Sequence, residues 1–214
     1  MHICTIKGMP IRIHYSLFIF VSLILSYIYL TSGLAYTKTI FCIFFALFSS
    51  VLMHELGHAL MAKRFSMETK SITLYPFGGI AMIRMNNLTS KSEILIALAG
   101  PLTNLLLSAI SIPLILLNVP LSIELFSVNV IMCVFNMIPA FPMDGGRVLR
   151  GILSYRLDRD VATIYCIRLS GLFLLLFILI GFIFKLPSLI LVGFVLMFMV
   201  SSESKRLGGP LKNH

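Results

Sequence analysis

The chain has 214 residues, of which 58% are hydrophobic and only 12% charged, and its mean hydropathy is +1.01. These values exclude an ordinary soluble domain, in which about half of the residues are apolar. The net charge of +9 would suit a nucleic-acid-binding protein. However, all 17 basic residues except Lys38 and Lys185 fall on one side of the predicted membrane spans. The positive-inside rule therefore predicts a multi-pass cell-membrane protein with both termini in the cytoplasm and no nucleic-acid partner.

Uncharged runs long enough to cross a bilayer, which takes about 20 residues, recur along the chain. They predict about six transmembrane helices, at 14–36, 39–62, 93–117, 122–138, 161–184 and 187–202. The segment 69–87 is too broken to span, because two strand-like runs flank the turn signal Pro76-Phe77-Gly78-Gly79. We predict an all-α polytopic membrane protein that forms a single domain over 1–214, with one short β-hairpin on the cytoplasmic side and no soluble domain.

The second predicted helix contains the sequence His54-Glu55-Leu56-Gly57-His58. Histidines four positions apart lie on one face of a helix and can bind one metal ion. Ionisable groups at membrane depth cost about 2.5–3.5 kcal/mol per charge at a helix centre and are functional by default. The pattern therefore predicts a zinc site, with His54 and His58 as ligands and Glu55 as the general base of a hydrolase.

A catalytic zinc usually has three protein ligands, so one more is required. Asp144 is the favoured candidate because it ends the segment 136–146, whose two prolines must break the fourth helix. The glycines that follow it, Gly145 and Gly146, would let the backbone turn tightly beside a ligand. Helices two and four are predicted to run in the same direction, which brings His54, His58 and Asp144 towards the cytoplasmic face. The competing carboxylates are Glu93, as second choice, and the pair Asp158 and Asp160.

These motifs resemble those of the site-2 proteases, which are intramembrane zinc metalloproteases. The histidine motif at 54–58 is followed by Gly100-Pro101-Leu102-Thr103-Asn104, similar to the Gly-Pro-x-x-Asn element of that family, and then by 136–146. The resemblance covers about 48–153, and the catalytic core is expected at about 39–153. The segments 8–15 and 76–79 are similar to the sporulation-type branch, typified by stage IV sporulation protein FB, which processes a membrane-associated sigma-factor precursor. Many members of that branch carry a C-terminal CBS domain; none is predicted in this sequence, so nucleotide regulation by that route is not implied.

The resemblance implies a zinc endopeptidase with one Zn²⁺ per chain that cuts membrane-embedded or membrane-associated proteins near the cytoplasmic face. The implied biological role is the regulated release of a signalling or transcription factor. The expected partners are a membrane protein substrate, the lipid bilayer and a regulatory membrane protein. Two alternatives remain open: a quality-control protease with Glu93 as third ligand, and a zinc-dependent transporter or scaffold without proteolysis.

Two further sets of residues are predicted to contact substrate. A side-chain amide could stabilise the oxyanion, with Asn136 as first candidate and Asn104 as second; alternatively, these amides satisfy broken-helix carbonyls or helix contacts. An edge strand could hold an unwound substrate by β-augmentation, or the same segment could be an ordinary interfacial loop. The predicted presenting residues are Phe77, Gly78, Gly79, Ile80 and Met82.

Overall fold

The structure is a computed structural model that describes residues 1–84 and 88–186, together with 193, 197 and 200. Its elements are, in chain order, β1 (His2–Ile6), β2 (Met9–Ile13), α1 (Tyr15–Arg64), β3 (Glu68–Tyr75), β4 (Gly78–Arg84), α2 (Ser90–Leu116), α3 (Ser122–Asn136), α4 (Asp144–Leu153) and α5 (Arg159–Ile183). The chain divides into two compact units: unit 1 is Met1–Leu88 with Ala99–Val134, and unit 2 is Thr89–Leu98 with Phe135–His214. The predicted helix 187–202 lies outside the described residues except at three positions.

α1 consists of two helices joined at Gly33, whose φ of 78° and ψ of −179° are not helical and suit a residue without a Cβ. The rings of Phe20 and Phe44 lie 6.3 Å apart. About 24 residues of straight helix would separate them by about 36 Å. The chain therefore reverses at Gly33, in agreement with the two helices predicted at 14–36 and 39–62.

Among the described helices, three are long and apolar enough to cross a membrane: α1, α2 and α5. α3 has 15 residues, fewer than the roughly 20 that a span usually needs. α2 and α5 begin within three residues of the predicted starts. A mostly helical membrane protein is therefore confirmed, whereas six spans remain a prediction.

The strands of unit 1 form one four-stranded sheet in the order β1-β2-β3-β4. The predicted hairpin is present as the antiparallel pair β3 and β4, with Ile72 opposite Ala81. β1 and β2, which were not predicted, form a second hairpin, and β2 runs parallel to β3 with Ile11 opposite Ile72. The face of the sheet that carries Ile11 and Ile72 packs on the second half of α1. There, Leu56 and Ala59 join these two residues in one apolar cluster. The sheet is therefore held against the helix turn that contains the histidine motif.

The predicted break in the fourth helix is present in unit 2: α3 ends at Asn136, and the short helix α4, which was not predicted, begins at Asp144. The prediction that Gly145 and Gly146 form a tight turn is wrong, because both lie in the first turn of α4. A Cβ at Gly145 would lie 2.4 Å from the carbonyl oxygen of Ile138, and one at Gly146 would also contact the preceding loop. The glycines thus allow the loop before α4 to fold closely over its first turn.

Candidate active site

His54 and His58 form a buried pair on α1, each only 4% exposed. Their Nε2 atoms lie 3.0 Å apart. Two nitrogens bound to one tetrahedral zinc at 2.0–2.1 Å would be about 3.3 Å apart. The two imidazoles therefore already point to a common position, and the pair fits a zinc ion with small adjustment.

The second ring nitrogen of His54 has a defined partner in unit 1. Nδ1 lies 2.6 Å from Oδ1 of Asn104, while Nδ2 of Asn104 donates a hydrogen bond to Asn129 at 2.9 Å. An amide oxygen only accepts, so Nδ1 of His54 carries the hydrogen and Nε2 keeps its lone pair. Asn104 thus contacts the far side of a candidate ligand, which argues against its predicted oxyanion role.

At Gly100 the backbone of α2 passes close to the two imidazoles. A Cβ added there would lie 2.3 Å from Nε2 of His58 and 2.7 Å from Cε1 of His54. Gly57 allows a similar approach in the other direction, since its Cβ would lie 2.4 Å from Oγ1 of Thr103. In the Gly-Pro-x-x-Asn element, Gly100 therefore leaves space for the two imidazoles. Asn104, one helical turn later, supplies the amide that contacts His54.

Glu55 lies half-buried against the edge strand β4. Its Oε2 accepts a hydrogen bond from the backbone N–H of Ala81 at 3.1 Å. A Cβ on Gly79 would lie 2.6 Å from Cγ of Glu55, so the strand can approach this side chain only because residue 79 is glycine. The candidate base is thus held at the free edge of the sheet.

The outward side of β4 can be assigned from this hydrogen bond. Residues in an antiparallel strand alternate between bonding the partner strand and facing away from it. Since Ala81 bonds Glu55, the N–H groups of Ile80 and Met82 face β3. Their side chains are 46% and 55% exposed, and Phe77 at the hairpin turn is 76% exposed.

Asp144 is the first residue of α4 in unit 2 and is 7% exposed. A helix N-terminus favours a carboxylate, and Oδ1 lies 3.7 Å from a guanidinium nitrogen of Arg147. Asp144 remains the proposed third ligand beside His54 and His58. Two imidazoles and a carboxylate form a donor set typical of catalytic zinc.

The competing carboxylates have other surroundings. Glu93 is completely buried in unit 2, where one oxygen accepts from Arg150 and the other lies 3.0 Å from a guanidinium nitrogen of Arg159. This double pairing argues against Glu93 as a zinc ligand, since its charge is already balanced by two arginines. Asp158 and Asp160 are exposed at the start of α5.

Asn136, the first candidate for the oxyanion role, is the last residue of α3 and is half-buried. Its role remains a prediction. Sequence reasoning missed Asn129, a fully buried residue that contacts Asn104. The available signal was an amide in the middle of an otherwise apolar helix, where a polar side chain requires a partner.

Comparison with known proteins gives the same assignment. Residues 42–123, which contain the histidine motif and the Gly-Pro-x-x-Asn element, match peptidase family M50. The solved site-2 protease from Methanocaldococcus jannaschii has a TM-score of 0.73 and 29% identity, over 100% of this chain and 97% of that one. The chain is therefore similar to the site-2 proteases of peptidase family M50. The family resemblance inferred from the sequence is thereby confirmed.

Two curated relatives match parts of the same sequence. A zinc metalloprotease of M. jannaschii is 32% identical over 206 residues, which are 94% of this chain and 59% of that protein. Stage IV sporulation protein FB of Bacillus subtilis is 33% identical over 132 residues, 56% of this chain and 46% of that protein. The chain thus spans less than two thirds of either relative. The resemblance to this family is confirmed, and the relative named as a zinc metalloprotease supports zinc as the proposed metal, whereas the ligand set remains a proposal.

Proposed function

We propose that this protein is a site-2 protease, an intramembrane zinc endopeptidase that hydrolyses membrane-embedded or membrane-associated proteins near the cytoplasmic face. One observation carries the proposal: the Nε2 atoms of His54 and His58 converge to 3.0 Å beside Glu55, in a helix apolar enough to cross a membrane. A metal site with an adjacent general base is the requirement for zinc-dependent peptide hydrolysis.

His54, His58 and Asp144 are proposed to hold the metal. Bound zinc would lower the pKa of a coordinated water towards about 7 and polarise the scissile carbonyl. Glu55 removes the proton from the attacking water and later delivers it to the leaving amine. The N–H of Ala81 holds the carboxylate of Glu55 in place between these two proton transfers.

The oxyanion that develops on the scissile carbonyl needs a hydrogen-bond donor. Asn136 is the proposed donor, because the amide of Asn104 already bonds Asn129. An Asn136→Asp variant tests this role, since the new carboxylate cannot donate. The turnover number should fall about 10²-fold or more, as when an oxyanion-hole donor is removed elsewhere.

β4 is proposed to hold the substrate as an added strand. A substrate helix must unwind before its peptide bonds can be cut, and an edge strand replaces the lost hydrogen bonds. The exposed residues Phe77, Ile80 and Met82 border this edge, and Gly78 and Gly79 leave its first positions without bulky side chains. The scissile bond would then lie level with Ala81, whose N–H reaches Glu55.

Proline at Ala81 removes the one N–H of β4 seen to bond Glu55. We expect Ala81→Pro to bind zinc normally and to cleave at least 10-fold more slowly, because Glu55 loses its hydrogen bond to β4 and the proline ring disturbs the strand that the substrate would join. Ala81→Ser serves as control, since it changes the side chain at the same position but keeps the backbone N–H. Equal cleavage by Ala81→Pro and the control would contradict the presenting role.

The membrane arrangement is part of the same proposal. Six transmembrane helices with both termini in the cytoplasm are supported by the distribution of basic residues. In this topology the cleaved product is released towards the cytoplasm. The likeness to stage IV sporulation protein FB supports regulated release of a signalling or transcription factor, with a membrane protein as regulator.

A Glu55→Gln variant tests the proposed chemistry. Glutamine keeps an oxygen for the N–H of Ala81 but cannot take a proton. We expect zinc in both wild type and variant, and cleavage of tagged single-span substrates in proteoliposomes to fall by about 10²–10⁴-fold in the variant. Glu68→Gln, at an exposed ion pair, is the control and should cleave normally. Cleavage at the wild-type rate by Glu55→Gln would refute Glu55 as the general base. Zinc bound without cleavage in the wild type would instead favour a zinc scaffold or transporter.

A further inference from the structure

A series of buried polar side chains extends from His54 within unit 1. Nδ1 of His54 lies 2.6 Å from Oδ1 of Asn104, and Nδ2 of Asn104 donates to Oδ1 of Asn129 at 2.9 Å. Nδ2 of Asn129 in turn donates to Oγ of Ser50 at 2.9 Å. Ser50, Asn104 and Asn129 are at most 1% exposed. Since water does not reach these groups, each must be satisfied by its neighbour in the series.

The far end of this hydrogen-bond series fixes its direction. Nδ2 of Asn129 also donates to the carbonyl oxygen of Leu125 at 2.8 Å, and the hydroxyl of Ser50 donates to the carbonyl oxygen of Ala46 at 2.7 Å. Backbone carbonyl oxygens only accept hydrogen bonds. The NH₂ group of Asn129 must therefore face these acceptors, and its oxygen must face Asn104.

The orientation of the Asn129 amide determines which nitrogen of His54 carries the hydrogen. With its NH₂ group on Asn129, Asn104 presents only its oxygen to His54, so Nδ1 carries the hydrogen and Nε2 the lone pair. The reversed amide would place NH₂ against Nδ1 and move the ring hydrogen to Nε2, where it would block metal binding. We infer that Asn129 and Ser50 are positioning residues that set the zinc-binding tautomer of His54 through Asn104. The inference rests on the proposed zinc site.

The test is the zinc dissociation constant of the purified full chain, measured by competition with a fluorescent chelator. Asn129→Leu removes both polar groups, and we expect zinc affinity to fall 10–100-fold, the usual loss when a partner of a ligand is removed. Asn129→Asp presents an oxygen to Asn104 in either charge state, so it should bind zinc at least about fivefold more tightly than Asn129→Leu. A purely structural role predicts the opposite order, because the second oxygen of the buried carboxyl group would face the carbonyl oxygen of Leu125, which costs more than leucine.

Two serines give a matched pair that preserves the fold. Ser50→Ala removes one acceptor that orients Asn129 and should weaken zinc binding about 3–10-fold, at the lower end of such losses. Ser111 is equally buried and also donates to the carbonyl oxygen four residues earlier, at 2.8 Å, but lies outside the series. Ser111→Ala should therefore bind zinc like wild type.

The outcomes separate this inference from the proposed function. If the wild type binds zinc and Ser50→Ala and Ser111→Ala bind it with equal affinity, the inference is overturned. The proposed protease function is not affected by that result. The same holds if Asn129→Asp binds zinc no better than Asn129→Leu. Absence of zinc from the wild type would overturn both. If Asn129→Leu does not fold, the serine pair decides the inference alone.

Discussion

Replacing Gly100 by alanine places a methyl group where α2 faces the two histidines. The new Cβ would lie 2.3 Å from Nε2 of His58, whereas ordinary contact begins at 3.4 Å. His58 would therefore have to move by about 1.1 Å, while zinc–nitrogen distances tolerate only about 0.2 Å. His54 would be displaced as well, because its Cε1 lies 2.7 Å from the same position.

We expect Gly100→Ala to weaken zinc binding at least about 10²-fold, which corresponds to about 2.8 kcal/mol at 1.4 kcal/mol per tenfold change. Cleavage should fall with zinc occupancy and recover partly in excess zinc. Chelator competition measures the affinity, and circular dichroism with thermal unfolding shows whether the variant is folded. Gly171→Ala is the matched control, since a Cβ at Gly171 on α5 has open space around it.

A substitution at a second glycine, Gly57, distinguishes two causes of weaker zinc binding: direct displacement of the imidazoles, and a wider separation between α1 and α2. The three atoms nearest to a Cβ at Gly57 belong to Thr103 and Ala99 on α2. Gly57→Ala should therefore reduce zinc affinity less than Gly100→Ala. A folded Gly100→Ala protein with wild-type zinc affinity would refute the reasoning, as would equal losses in the two variants.

Two other substitutions test the base and the buried ion cluster. Gly79→Ala places a Cβ 2.6 Å from Cγ of Glu55, so the turnover number should fall about 10–100-fold through misplacement of the base; normal zinc content with normal turnover would contradict this. Glu93→Gln leaves two arginines without a buried counter-charge and should lower the free energy of unfolding by about 3–5 kcal/mol, as measured by denaturant titration in mixed micelles. The exposed Glu68→Gln control should lose at most about 1 kcal/mol, and an equal loss in both would refute the role of the cluster.

Local signals in the sequence were sufficient for much of the fold. The break before Asp144 follows from the missing N–H groups and steric demands of proline. The hairpin β3–β4 follows from a turn signal between two strand-like runs. The motif at 54–58 predicted that both imidazoles lie on one helix face, because helical periodicity alone determines this.

The features that were missed depend on contacts between distant parts of the chain. β2 joins the sheet through pairing with β3, about 60 residues later in the chain, and no local pattern reports that register. Asn129 contacts Asn104 and Ser50, which belong to different helices. Glu93 was a candidate ligand because a carboxylate near a membrane suggests chemistry, and only its arginine partners identify it as part of an ion cluster.

The metal content of purified wild type and Asp144→Asn tests the central claim most directly. Asparagine has nearly the same size as aspartate but lacks the negative charge that a third zinc ligand supplies. We predict about one zinc per wild-type chain, with most of the metal and all detectable cleavage lost in a folded Asp144→Asn variant. A wild type without zinc, or an Asp144→Asn variant with full zinc and full cleavage, would contradict the account.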